Sequence, residues 1–162
     1  MNSLIKKINR TVEFLMVLFL IIMVLVVFFQ IVSRTIWGSS FLWTEEVARF
    51  LMIWVMFLGS ALAFQYGAHI SIEAIFNRLP SYAQKSVQII ITIVCITFFL
   101  IFMVEGFDLS QRAMVNRSPA LNIPMGYVYS VIPITGMLGI INLIDVTIRY
   151  LRTGKNSLEV ME

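Results

Sequence analysis

The residues that could do chemistry are few, and most stand in pairs one helical turn apart. In FLWTEEVARFLMIW (residues 41–54), Glu45 and Arg49 are spaced i, i+4 with the acid first, the favourable order for a helical ion pair, and Glu46 lies beside them. Asp108 with Arg112 and Asp145 with Arg149 repeat that spacing, and His69 with Glu73 places an imidazole one turn before a carboxylate. Carboxylates and arginines in apolar surroundings can relay protons or hold a charged substrate. An imidazole and a carboxylate can hold a metal, but two ligands without a third do not make a metal site. The single cysteine, Cys95, excludes a thiol–disulfide relay, and the single histidine excludes a haem held by two imidazoles. No nucleophile–base pair or phosphate-binding loop is present, so the sequence reads as a non-enzyme without a cofactor of its own.

These residues must be positioned by membrane helices. Of the 162 residues, 59% are hydrophobic and 13% charged, against about 45–50% and about 25% in soluble domains. A formal net charge of +3 with no long basic run excludes nucleic acid as a partner. Four segments carry the roughly 20 apolar residues that a span requires: Thr11–Val32, Val47–Phe64, Val87–Val104 and Val128–Ile148. With flanking turns the spans extend to about 11–33, 44–66, 81–107 and 126–151. The first is too long for a signal-peptide core and no small-residue cleavage site follows it, so it reads as an anchor. Ser81 and Gln84 form a capping box ahead of the third span. Pro133 predicts a kink or an irregular first turn in the fourth. The fold class is therefore all-α, polytopic, with one four-helix membrane domain over residues 1–152 and a polar tail over 153–162.

Lys6, Lys7, Arg10, Arg78, Lys85, Arg149, Arg152 and Lys155 flank one side of the spans, against Arg34, Arg112 and Arg117 on the other. The positive-inside rule puts both termini in the cytoplasm. Between the second and third spans, Ile72, Ile75, Phe76 and Leu79 recur at i, i+3, i+4 and i+7. That spacing predicts a short amphipathic helix over 71–79, lying in the cytoplasmic interface with His69 just ahead of it.

Two readings of the Glu45–Glu46–Arg49 cluster stay open. In one, it fastens a helix end: Thr44 caps, the acids suit the helix dipole, and Trp37 and Trp43 sit at the lipid boundary. In the other it lines a path. At 100° per residue, Glu45, Arg49, Met52, Met56, Gly59 and Ala63 fall within roughly 40° of one line. Gly59 and Ala63 make a small-xxx-small pair that admits a close helix, which favours a protein-contact face. Gln30, Gln88, Thr92 and Asn142 are polar residues of the kind that join helices by hydrogen bonds.

The run WTEEVARFLMIWVMFLGSALAFQYGAHISIEAIFNRLP (residues 43–80) resembles the small membrane (Q) subunit of tripartite ATP-independent periplasmic (TRAP) transporters. The residues that carry the likeness are Trp43, Glu45, Glu46, Arg49, Trp54, Gly59, Gly67, His69 and Arg78-Leu79-Pro80, followed by Asn122-Ile123-Pro124, Tyr127, Tyr129 and Pro133. The resemblance implies a subunit of a sodium-coupled system that takes up an organic acid, of the C4-dicarboxylate or sialic acid class, through the bacterial inner membrane. It implies a large elevator-type permease partner holding the substrate and sodium sites, and a periplasmic substrate-binding protein. In that role Trp43, Glu45, Glu46, Arg49, Met52, Met56, Gly59 and Ala63 would meet a partner or lipid headgroups. His69, Ile72, Ile75, Phe76 and Leu79 would form the interfacial helix. The alternatives are a self-sufficient small dimeric transporter, and a scaffold subunit of another membrane complex.

Overall fold

A long unbroken apolar run in lipid can satisfy its backbone only as helix, and four such helices are what this sequence forms. A computed structural model describes residues 3–38, 41–65 and 81–153. The interfacial helix expected over 71–79, with His69, lies outside the described residues, as does the tail from 154 onwards. The helices are α1 (Ser3–Trp37), α2 (Leu42–Ala63), α3 (Ser81–Arg112), α4 (Met125–Tyr129) and α5 (Val131–Thr153), with a 3-10 turn at Ala113–Val115. Among the described residues, four stretches are long and apolar enough to cross a membrane: Leu4–Ile36, Leu42–Ala63, Ser86–Val115 and Met125–Arg149. Helix α1 runs beyond both expected bounds, 11 and 33, while α3 starts at the expected residue 81 and runs past 107 to Arg112. The α1–α2 connection and the 113–124 connection share one end of the bundle, here called the hairpin end.

Pro133 acts as expected. The fourth span breaks at Ser130, whose hydroxyl donates to the Tyr127 carbonyl at 2.7 Å, and α5 restarts at Val131. Pro133 thus falls in the first turn of α5, where an N–H has no intrahelical acceptor to lose. α1 ends on Gly38, whose φ of +70° and N–H bond to the Arg34 carbonyl at 3.1 Å make a left-handed cap. The capping box expected at Ser81 and Gln84 involves side chains outside the described ones.

The helices pack in a row: α1 on α2, α2 on α5, and α5 on α3. The central positions are the more buried. Of the most apolar window in each span, 44% is buried in the fourth, against none in the first and 11% in the third. Val12, Leu58, Leu62 and Val131 form the core, with Met16, Phe19, Trp54 and Phe57 packed against it. The Phe19 and Trp54 rings meet edge to face at 6.0 Å.

Polar groups lock the row. The Asn9 amide donates to Asn142 Oδ1 at 2.7 Å, and Asn142 Nδ2 donates to the Ala61 carbonyl at 3.0 Å, so three helices meet at one buried amide. Thr92 and Thr147 share a 2.9 Å hydrogen bond between α3 and α5. Among the described residues, Gln30 and Gln88 make no interhelical link; their backbone carbonyls accept from Ser33 and Thr92 of their own helices. Helices α3 and α5 approach closely along their seam. A Cβ on Gly139 would lie 2.6 Å from the Phe99 ring, and one on Gly136 would lie 3.1 Å from the Phe99 carbonyl oxygen.

Candidate functional site

The charged stretch that opens α2 sits at the hairpin end. The helix starts one turn earlier than the sequence suggests, with Phe41 in extended conformation as the cap residue and no side chain capping it. Thr44 is therefore not the N-cap. It lies inside the first turn, fully buried, and its hydroxyl donates back to the Phe41 carbonyl at 2.7 Å. The reason is that the apolar pair Leu42 and Trp43 is already helical, so Thr44 faces a carbonyl rather than free N–H groups.

Glu45 and Glu46 part company here. Glu45 points outward and pairs with Arg49 at 2.8 Å, with both side chains more than half exposed. Glu46 points inward, is 9% exposed, and reaches a segment 74 residues away. Its Oε1 accepts the Ala120 N–H at 2.8 Å and its Oε2 accepts the Leu121 N–H at 3.0 Å. One carboxylate thus takes two consecutive backbone donors, a charge-assisted pair stronger than neutral hydrogen bonds. The feature is a clamp between α2 and the 113–124 connection.

That connection is folded tightly enough to present those donors. Arg117 and Pro124 form an isolated bridge, the Ser118 N–H bonds the Ile123 carbonyl at 2.9 Å, and the Met125 N–H bonds the Asn116 carbonyl at 2.8 Å. Asn122 takes a φ of 55°, a left-handed conformation that asparagine tolerates better than most residues. The buried Ser118 hydroxyl accepts the Ile123 N–H, and the Arg117 guanidinium donates to the Asn122 carbonyl at 3.2 Å. At the foot of the hairpin, Ser110 Oγ donates to the Gly126 carbonyl at 2.8 Å. Phe29 of α1 meets Phe41 and Trp43 at the start of α2 in an exposed aromatic group with centroids 6.0 to 6.5 Å apart.

The stripe read along α2 does not act as one face within the chain. Glu45, Arg49, Met52 and Met56 are exposed, while Gly59 lies against α1, where an added Cβ would stand 3.3 Å from the Met16 sulfur. Trp43, Glu45, Glu46 and Arg49 come together at the hairpin end; Met52 and Met56 open outward below them; Ala63 ends the helix at the opposite end. The ion pairs Asp108–Arg112 at 2.6 Å and Asp145–Arg149 at 3.0 Å form as their spacing predicts, the first exposed and the second largely buried. Among the described residues, no group of three His, Cys, Asp or Glu could hold a metal ion.

Sequence reasoning missed the Glu46 clamp and the glycine seam. Ser118-Pro119 and Asn122-Ile123-Pro124 mark a turn, but no periodicity links that turn to Glu46. It also passed over Glu105, a single acid in LIFMVEGFDL (residues 100–109), whose isolation in an apolar run was the available signal.

Residues 23–153 match the family model described as tripartite ATP-independent periplasmic transporters, DctQ component. A Haemophilus influenzae protein described as a TRAP transporter small permease is 31% identical over 138 residues, covering 85% of this chain and 86% of that protein. The isethionate TRAP transporter permease protein DctMQ of Oleidesulfovibrio alaskensis is 30% identical over 110 residues, covering 67% of this chain but 17% of that protein. The sialic acid TRAP transporter permease protein SiaT of Haemophilus influenzae is 26% identical over 156 residues, covering 94% of this chain and 25% of that protein. The chain is thus similar both to most of a small protein and to a part of larger permeases.

Proposed function

The chain belongs to the DctQ component family of tripartite ATP-independent periplasmic transporters, and from that premise we propose that it is the small permease subunit of such a system. It lies in the bacterial inner membrane with both termini in the cytoplasm, which makes the hairpin end periplasmic. It is a transporter component and catalyses no reaction. It holds no cofactor; the sodium and substrate sites belong to the large permease. The small subunit widens the fixed part against which the large subunit's mobile part moves. The clamped hairpin offers a rigid periplasmic surface to the substrate-binding protein.

The observation that carries this reading is the use made of the interior polar groups. Asn9, Asn142, Thr92 and Thr147 bind helix to helix, and the buried carboxylates Glu46 and Asp145 are engaged by loop amides and by Arg149. These are the contacts of a scaffold. The likeness to part of the larger DctMQ and SiaT proteins supports a large permease as the neighbour. Those two relatives are named for isethionate and sialic acid. They support an organic acid as the substrate to test here, with C4-dicarboxylates or sialic acids as the compounds to try first. The exposed Glu45, Arg49, Met52 and Met56 face a partner helix or lipid headgroups.

The test is reconstitution in proteoliposomes under a sodium gradient. Uptake is expected only when this chain, the large permease and the binding protein are all present. Flux from this chain alone would instead make it a self-sufficient transporter.

A further inference from the structure

The described carboxylates fall into two groups. Glu45, Asp108 and Asp145 each pair with an arginine one turn on, and Glu46 holds two backbone amides. Glu13 also has an interaction partner. Glu105 has none: among the described carboxylates it alone makes neither an ion pair nor a hydrogen bond. It is exposed on α3, the helix at one end of the row, away from the face that packs on α5. Its neighbour Gly106 lies level with Ile132 and Pro133 of α5, below the start of the fourth span. At about 1.5 Å per residue it sits roughly 10 Å deeper than Arg112, inside the apolar part of the helix.

The surface around it is apolar. Ile90, Val94, Phe98, Ile101, Val104 and Leu109 are all exposed, Ile101 at 59%, and Phe98 stacks on Phe102 at 5.6 Å. Arg112 is the nearest cation along the helix, but Asp108 already holds it at 2.6 Å. A carboxyl side chain within a span belongs against protein or water rather than hydrocarbon. We infer that this face of α3 is covered by a transmembrane helix of the large permease subunit, which sets a basic or N–H-rich side chain against Glu105. The inference rests on the subunit reading above and adds to it the helix, the face and the charge that make the contact. Charge complementarity selects the occupant: lipid tails offer nothing to a carboxylate, and an anionic headgroup would repel it.

The experiment uses the tagged full chain co-expressed with its large permease. Glu105→Leu separates the possible coverings because they predict opposite signs. Against lipid, leucine improves the fit, and the permease co-purifies at the wild-type level or better. Against a basic partner, the partner's charge is left unpaired, and recovery of the permease is expected to fall at least about fivefold. The isolated variant should melt no lower than wild type, because Glu105 is exposed within the chain. A photocrosslinking residue at Ile101 or Leu109, with Glu105 intact, should join the chain to the permease. Undiminished recovery with Glu105→Leu, or crosslinks to lipid alone, overturns the assignment of this face. Absence of the permease from the wild-type purification overturns the subunit reading itself.

Discussion

Replacing Asn142 by leucine isolates the junction at which α1, α2 and α5 meet. Asn142 is 1% exposed and Asn9 2%, so water cannot take over their bonds. The change removes the 2.7 Å bond from Asn9 and the 3.0 Å bond to the Ala61 carbonyl. An interhelical hydrogen bond in a membrane contributes about 0.6 kcal/mol on average and about 1.7 at most. Losing two gives about 1–3 kcal/mol, towards the upper end because the Asn9 amide is left buried without its acceptor. Reversible unfolding in lipid–detergent mixed micelles measures this directly. A cycle of Asn9→Leu, Asn142→Leu and the double variant should give a coupling of about 0.6–1.7 kcal/mol, because each single change already breaks the shared bond. Gln30→Leu is the control: its side chain makes no interhelical bond, and its effect should stay within about 0.5 kcal/mol. A coupling of zero, or an Asn142→Leu variant as stable as wild type, would refute the idea that polar contacts lock the row.

Further outcomes follow from the geometry. Glu46→Ala should release the hairpin, so that hydrogen exchange at the Ala120 and Leu121 amides accelerates by about tenfold or more, whereas Arg49→Ala should leave those amides protected. In a melting series, Gly136→Ala should cost about 1–3 kcal/mol, because its Cβ would meet the Phe99 carbonyl oxygen and the Met103 backbone. Gly59→Ala should be nearly silent, since its one close neighbour is the flexible Met16 sulfur. Gly38→Ala should lower stability by about 1 kcal/mol, because the left-handed φ of +70° penalises a Cβ even with open space around it.

What could be read from the residues was what depends on short spacings. Apolar run length gave four spans, and the i, i+4 pairs Glu45–Arg49, Asp108–Arg112 and Asp145–Arg149 all formed. Pro133 marked the irregular start of α5, and the polar type of Asn142 and Thr92 announced interhelical bonds. Most of what failed depended on contacts between distant segments. Glu46 looked identical to Glu45 as a helix-start acid, yet one turns outward to Arg49 and the other inward to amides at residues 120 and 121. Thr44 looks like a cap by residue type, but Leu42 and Trp43 are already helical and leave it inside the first turn. Gly59 and Ala63 drew notice as a motif, while the tighter α3–α5 contact uses Gly136 and Gly139, three apart, against a phenylalanine that no local pattern indicates.

The measurement that bears most directly on the central claim is native mass spectrometry of the chain, tagged at its chromosomal locus and extracted in mild detergent. A heterodimer of this 18.6 kDa chain with one large multi-span permease is expected, retained at solution-phase equilibrium and lost on denaturation. A homodimer, or a complex with membrane proteins unrelated to any permease, would contradict the account.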